Sequence, residues 1–143
     1  MTPEQFIKGQ LAAYAYQEAA HCGGFASMFA VAKVIRNRVR RGWKGGDWMA
    51  VLNGAADIQP FEQTIRVHPD LKNEMFRKVL LEVEDIYIAT GDDQMTANGL
   101  YYIDTMRAQA NPELIRPWFR KHILGDQQNH PRVAQVGTLY IFS

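Results

Sequence analysis

Apolar residues recur every three or four positions through the first forty residues, and that spacing predicts two successive helices. Ile7, Leu11, Tyr14, Ala15 and Cys22 make one stripe, and Glu18 lies on it between Tyr14 and Cys22. Thr2-Pro3-Glu4-Gln5 has the form of a capping box with proline at the first helical position. The first helix is therefore expected from about residue 3 to His21 or Cys22, where Gly23-Gly24 ends it. Residues 25–41 predict a second helix. Phe25, Met28, Ala32, Ile35 and Val39 share one face, and Val31 and Val34 widen it into the pattern of a well-buried helix stopped by Gly42.

The middle of the chain loses this periodicity. The stretch holding Trp43, Gly45, Gly46, Asp47 and Trp48 reads as a loop, residues 49–52 as a short helix and residues 53–64 as irregular. Periodicity returns with Leu71, Met75, Val79, Leu80, Val83, Ile86 and Tyr87, which predict a helix opened by Pro69 and stopped at Gly91. Asp92-Asp93 reads as a turn and residues 100–103 as a short strand. Residues 133–142 have strand composition, with Gly137 inside, and are expected to pair with residues 100–103. Residues 111–125 stay ambiguous: Asn111-Pro112-Glu113 is a good helix start, and Pro117 interrupts the pattern a few residues later. The expected fold is one α+β domain over residues 1–143, mostly α, with a small antiparallel β element near the C-terminus.

Composition narrows the function classes. With 47% apolar and 22% charged residues, the chain is not of the disordered class. Sixteen Lys and Arg against fifteen Asp and Glu leave a net charge of +1, which excludes a globally basic nucleic-acid binder. No apolar run approaches the about 18 residues that a spanning helix needs, so no membrane partner is expected. The single cysteine, Cys22, excludes an internal disulfide framework and a multi-cysteine zinc site. The opening MTPEQFIKGQ lacks the basic and apolar blocks of a signal peptide.

Charge is nevertheless patterned. Lys33, Arg36, Arg38, Arg40, Arg41 and Lys44 form a basic run that could meet an anionic polymer. The alternative is a solvated helix face with one or two arginines paired inside. The acids Asp70, Glu74, Glu82, Glu84 and Asp85 on the helix after Pro69 favour that alternative. Asn37 is expected to be a helix-packing hydrogen bonder.

The side chain with most chemical promise is Glu18. Its neighbours three and four positions away are Tyr14, Ala15, His21 and Cys22, and none is Lys or Arg. An apolar stripe and a nearby helix C-terminus both disfavour the anion, so the carboxyl is expected to hold its proton toward neutral pH, as a general acid must. The competing expectation is a Glu that reaches an Arg, or free backbone N–H groups, of another helix. Glu18, His21 and Cys22 also have the i, i+3, i+4 spacing of metal ligands, with His68, His122 or His130 needed to complete a site. No known ligand spacing supports that, so they read as polar residues of a helix end and no metal is expected. Cys22 reads as a buried thiol and not a nucleophile. Trp43, Trp48, Phe61, Tyr101, Tyr102, Trp118 and Tyr140 fall in irregular or strand segments, where rings serve either as core or as platforms for apolar sugar faces.

Several of these pieces together resemble the SleB-like cell wall hydrolases, the family of spore-cortex-lytic enzymes. Glu18-Ala19 followed by Ala30-Val31-Ala32-Lys33-Val34-Ile35-Arg36-Asn37-Arg38-Val39 is similar to the family's helix ending in Glu-Ala and its AVAxVIxNRV helix. Residues 48–52, Pro60-Phe61, Ala89-Thr90-Gly91, residues 97–103, Pro117-Trp118 and residues 136–142 come in the family's order. The chain departs from it in reading Glu18-Ala19-Ala20-His21-Cys22 where the family often has Glu-Ala-Arg-Gly-Glu, and in having Leu139 where its terminal strand has His.

The resemblance implies a lysozyme-like fold acting on peptidoglycan glycan strands, and a monomer is expected. It also implies Glu18 as the catalytic acid and no cofactor, nucleotide or metal. The implied activity is lytic transglycosylation between N-acetylmuramic acid and N-acetylglucosamine. The alternatives are a lysozyme-type muramidase, or a wall- or nucleic-acid-binding module without chemistry. A muramidase needs a second carboxylate. Asp47, Glu62 and Asp104 are the candidates, with Asp104 preferred for its place just after Tyr101-Tyr102 on the strand. Phe61, Tyr101, Tyr102 and Trp118 are the expected sugar contacts. Without a visible signal peptide, the expectation is cytoplasmic synthesis with holin-type release, as for an endolysin, or an exported protein whose sequence was trimmed.

Overall fold

Thr2 starts α1 (Pro3–Ala19) with a complete capping box: its side chain accepts from the Gln5 N–H, and the Gln5 side chain accepts from the Thr2 N–H. The computed structural model describes residues 1–62 and 70–143. Leu11, Ala12, Ala15 and Ala19 of α1 are wholly buried, and the three alanines let neighbouring helices approach closely. α1 ends earlier than expected. The Cys22 N–H donates to the Ala19 carbonyl (3.0 Å), folding residues 20–22 into a tight turn, so His21 and Cys22 leave the helix. Gly23 and Gly24, at φ 99° and 122°, then reverse the chain into α2 (Phe25–Arg40).

α2 is the most enclosed of the three long helices. Met28, Ala30, Val31, Ala32, Val34 and Ile35 are fully buried, as the widened apolar face required. It packs with α1 and with α4 (Glu74–Ile88), whose Phe76, Val79, Val83 and Ile86 complete the main core. α3 (Trp48–Gly54) is flanked by 3₁₀ turns at Trp43–Gly46 and Ala55–Ile58. The expected start of α4 at Pro69 lies outside the described residues, as do Thr64 and His68. The helix itself begins at Glu74. Asp70 accepts from the Lys72 N–H and Asn73 caps the Phe76 N–H, so these side chains hold the backbone in a turn ahead of the helix. Leu71 is consequently exposed and not part of the stripe.

The sheet lies late in the chain, in the order β1-β3-β2 and antiparallel throughout, so the fold is α+β and mostly α. β1 (Tyr101–Asp104) pairs with β3 (Leu139–Phe142) in the register Tyr102↔Ile141. The single strand expected over residues 133–142 is instead a hairpin of β2 (Arg132–Val136) and β3. Gly137, at φ 56°, makes its turn and seats it against α2. A Cβ there would stand 2.7 Å from Ser27 Oγ and 3.0 Å from the Cys22 carbonyl oxygen, so only glycine fits.

Two elements went unanticipated. α5 (Thr105–Ala110) comes directly after β1, capped by Asp104. Pro117 starts α6 (Pro117–Phe119), where its fixed φ suits the first helical position, and a π-helical turn, Arg120–Leu124, continues it. Phe119 and Ile123 join Phe61, Ile103, Ile115 and Phe142 in a second, smaller core beneath the sheet.

Of the basic run, Arg36 and Arg38 are buried, Lys33 is partly buried, and Arg40, Arg41 and Lys44 are exposed. Arg36 donates from Nε and Nη2 to the Ala89 carbonyl (2.9 and 2.7 Å) and from Nη2 to that of Gly91 (2.6 Å). Arg40 also reaches Gly91, Lys33 pairs with Asp93 (3.3 Å) and Arg38 Nε donates to the Leu100 carbonyl (2.8 Å). Arg36 and Arg40 thus bond carbonyls just past the end of α4, and Arg38 the carbonyl just before β1, and not, as expected, the carboxylates of α4. Cations suit that end, where the last carbonyls lack intrahelical partners. Asn37 packs as expected, donating to Thr96 Oγ1 (3.0 Å) and the Gly99 carbonyl (2.9 Å).

Candidate active site

Residues alternate faces along a strand, so Tyr102 and Asp104 of β1 point one way and Tyr101 the other. The Tyr102 side faces the last turn of α1. There Glu18, Tyr102 and Asp104 line one cleft with His21, Gln59, Phe61 and Arg107. Glu18 is half-buried and Asp104 is 9% exposed. The preferred second carboxylate therefore shares a cleft with the expected acid. The anchoring runs back to the α2 string. Asn37 and Arg38 hold the carbonyls of Gly99 and Leu100, the two residues before β1, and so set where Tyr102 meets α1.

A directional chain of hydrogen bonds ends on Glu18. Tyr102 Oη donates to Glu18 Oε1 at 2.9 Å. Tyr14 and Tyr102 hydroxyls lie 2.6 Å apart. A phenol has one proton to give, and that of Tyr102 goes to Glu18, so Tyr14 donates to Tyr102. Gln59 Nε2 in turn donates to Tyr14 Oη (3.2 Å). Burial, reinforced by the Glu18 charge, pushes both phenols well above their ordinary range. Both therefore stay protonated, and the chain Gln59→Tyr14→Tyr102→Glu18 keeps its direction.

Asp104 has two tasks. Its Oδ1 accepts from the Met106 N–H (3.1 Å), capping α5, while Oδ2 stands 3.6 Å from His21 Nε2. Cys22 is buried, and burial first, then the nearby Asp104, pushes its thiol up to about 12. It is thus the buried thiol the sequence suggested. One donor atom each from His21, Cys22 and Asp104 lie within 4.8 Å of one another, the one such cluster with metal-ligand chemistry among the described residues. Of the expected ligands, His21 and Cys22 belong to it, Glu18, His122 and His130 do not, and His68 lies outside the described residues.

The expected sugar contacts divide. Phe61 is buried, with the Arg107 guanidinium 4.4 Å from its ring centre, and forms a wall of the cleft. Tyr102 is buried too. Its ring is closed to stacking, and its hydroxyl orients Glu18. Tyr101 lies on the opposite face of β1, among Trp43 (5.7 Å), Trp118 (6.3 Å) and His130 (5.3 Å). Trp118 is exposed and lines a neighbouring groove with Glu62 and Arg107. Arg107 thus borders both depressions.

Tyr14, Gln59, His21 and Arg107 join the site without having been singled out for it as contacts. Tyr14 had a signal, since it stands four residues before Glu18 on the same stripe. Gln59 and Arg107 had none, because chain reversals alone bring them in. Compared with family models, curated proteins and solved structures, the chain matches none.

Proposed function

We propose that this protein cleaves peptidoglycan glycan strands as a lytic transglycosylase, with Glu18 as its one catalytic carboxyl. The observation that carries this reading is the Glu18 side chain itself. It is half-buried at the rim of a cleft and held by a hydroxyl relay that ends on Oε1. An acid that must meet one glycosidic oxygen needs that positional control. The sequence resemblance to SleB-like cell wall hydrolases adds the substrate class and the lysozyme-like reading of the fold.

In the reaction, Glu18 gives its proton to the oxygen linking N-acetylmuramic acid to N-acetylglucosamine, and the C1–O bond breaks. The resulting carboxylate takes the proton of the muramoyl 6-hydroxyl, whose oxygen closes on C1 to form the anhydro ring. The proton count balances on one carboxyl, first as acid and then as base. Tyr102 keeps Oε1 oriented through both steps, and its phenol stays out of the proton transfers.

A second reading has its own support. Asp104 lines the same cleft, so a lysozyme-type muramidase with Glu18 as acid and Asp104 as partner is the alternative. Digestion of purified sacculi, coupled to mass spectrometry, tests both. Anhydromuramoyl ends support transglycosylation, reducing muramic ends support the muramidase, and no released fragments overturn the function.

Tyr102→Phe is expected to keep the fold and lower turnover by about tenfold, the size of one hydrogen bond to a charged group. Turnover unchanged from wild type would show that the Tyr102 contact does not act on the acid.

A further inference from the structure

We propose that His21, Cys22 and Asp104 form a binding site for one zinc-class divalent cation at the rim of the Glu18 cleft. Three different donors converge there: an imidazole nitrogen, a sulfur and a carboxylate oxygen, all within 4.8 Å of one another, with His21 Nε2 and Asp104 Oδ2 at 3.6 Å. Cys22 and His21 are adjacent in a tight turn, and Asp104 comes from β1, more than eighty residues away. The grouping is therefore made by tertiary structure and not by a local run of polar residues.

The donors are also held from behind. The Cys22 carbonyl accepts from Ser27 Oγ (3.0 Å) and Thr138 Oγ1 (3.4 Å), and Gly137 packs against the same carbonyl. Thr138 in turn accepts at its own carbonyl from the N–H (2.9 Å) and hydroxyl (2.7 Å) of Thr105, the residue after Asp104. The hairpin turn thus ties the Cys22 loop to the β1–α5 junction. Asp104 Oδ1 is fixed by capping α5, leaving Oδ2 toward His21. Such outer contacts orient ligands before an ion arrives.

The donor set selects the ion. Nitrogen, sulfur and one carboxylate oxygen suit Zn²⁺ and Co²⁺, whereas Mg²⁺ and Ca²⁺ require oxygen cages. Binding converts the Cys22 thiol to a thiolate, and its proton passes to buffer. Thiolate and carboxylate then balance the two positive charges, the imidazole binds neutral, and water takes the fourth position of the tetrahedron. His21 is exposed, and it lines the cleft with Asp104, so an ion has a way in.

Cobalt titration of the reduced protein tests the site without reference to wall cleavage, so its failure and failure of the proposed function are separate results. Wild type should develop the visible bands of tetrahedral Co²⁺ and a near-ultraviolet thiolate-to-cobalt band. Zn²⁺ should displace the signal, and excess Mg²⁺ or Ca²⁺ should not. His21→Ala, at an exposed position, should weaken binding at least about tenfold. Cys22→Ala should lose the near-ultraviolet band while far-ultraviolet circular dichroism stays native. Absence of a thiolate band in wild type overturns the site, and so does a band of unchanged affinity in His21→Ala.

Discussion

Glu18→Gln is expected to cut the release of fragments from sacculi by about 10²–10⁴-fold, the usual contribution of a positioned general acid. The carboxamide keeps the shape of the side chain and an oxygen to accept from Tyr102, so the hydroxyl relay retains its end point. It loses the proton that the glycosidic oxygen needs. Thermal unfolding should therefore stay within about 1 kcal/mol of wild type while activity collapses. A variant that still clears walls at wild-type rate would remove Glu18 from the chemistry. Asp104→Asn separates the two glycosidase readings, because asparagine also caps α5. A loss as large as that of Glu18→Gln marks Asp104 as a second catalytic carboxylate; a loss of a few-fold or less leaves the one-carboxyl scheme.

Arg38→Ala should be the most destabilising single change in the α2 string, at about 3 kcal/mol, or a fall of about 10 °C in the unfolding midpoint. Arg38 is 2% exposed despite its charge. Its Nε holds the Leu100 carbonyl, and its guanidinium carbon lies 5.3 Å from the Trp43 ring centre and 5.9 Å from that of Tyr101. Truncation opens a cavity, strands a carbonyl and removes a cation from two rings. It also loosens the approach to β1, so turnover should fall although Arg38 lies outside the cleft. Urea unfolding reads the first effect and sacculus digestion the second. A midpoint within error of wild type would show that the buried guanidinium is not what anchors the strand.

The helices were legible because burial of one face imposes a period on the sequence. α1, α2 and α4 show it, and their main apolar positions are the core. Errors gathered where side chains compete with the backbone. Asp70 and Asn73 delayed α4, and Asp104 opened a helix that no periodicity announced. Gly137 sat inside a run of β-formers read as one strand, and that it turns the chain into a hairpin depended on what lay opposite. Arg38 belonged to a basic run expected to pair one or two arginines inside, but which ones depended on partners such as the Leu100 carbonyl, more than sixty residues along the chain.

By itself the sequence determined the secondary elements with strong periods, the near-neutral charge with its basic run, and the placement of Glu18 on an apolar stripe near a helix end. These are local properties, fixed by residues within a few turns of one another. Tertiary structure alone decided what Glu18 meets. It set Tyr102 on the carboxylate and Asp104 in the same cleft, and it moved Tyr101 to the far face of the strand. It also joined Cys22 and His21 to Asp104. Each of these depends on β1 docking against the end of α1, and that docking is set by the pairing of β1 with β3 and by the grip of α2 on the residues before it. Such contacts join residues far apart in the chain, and no short-range pattern encodes them.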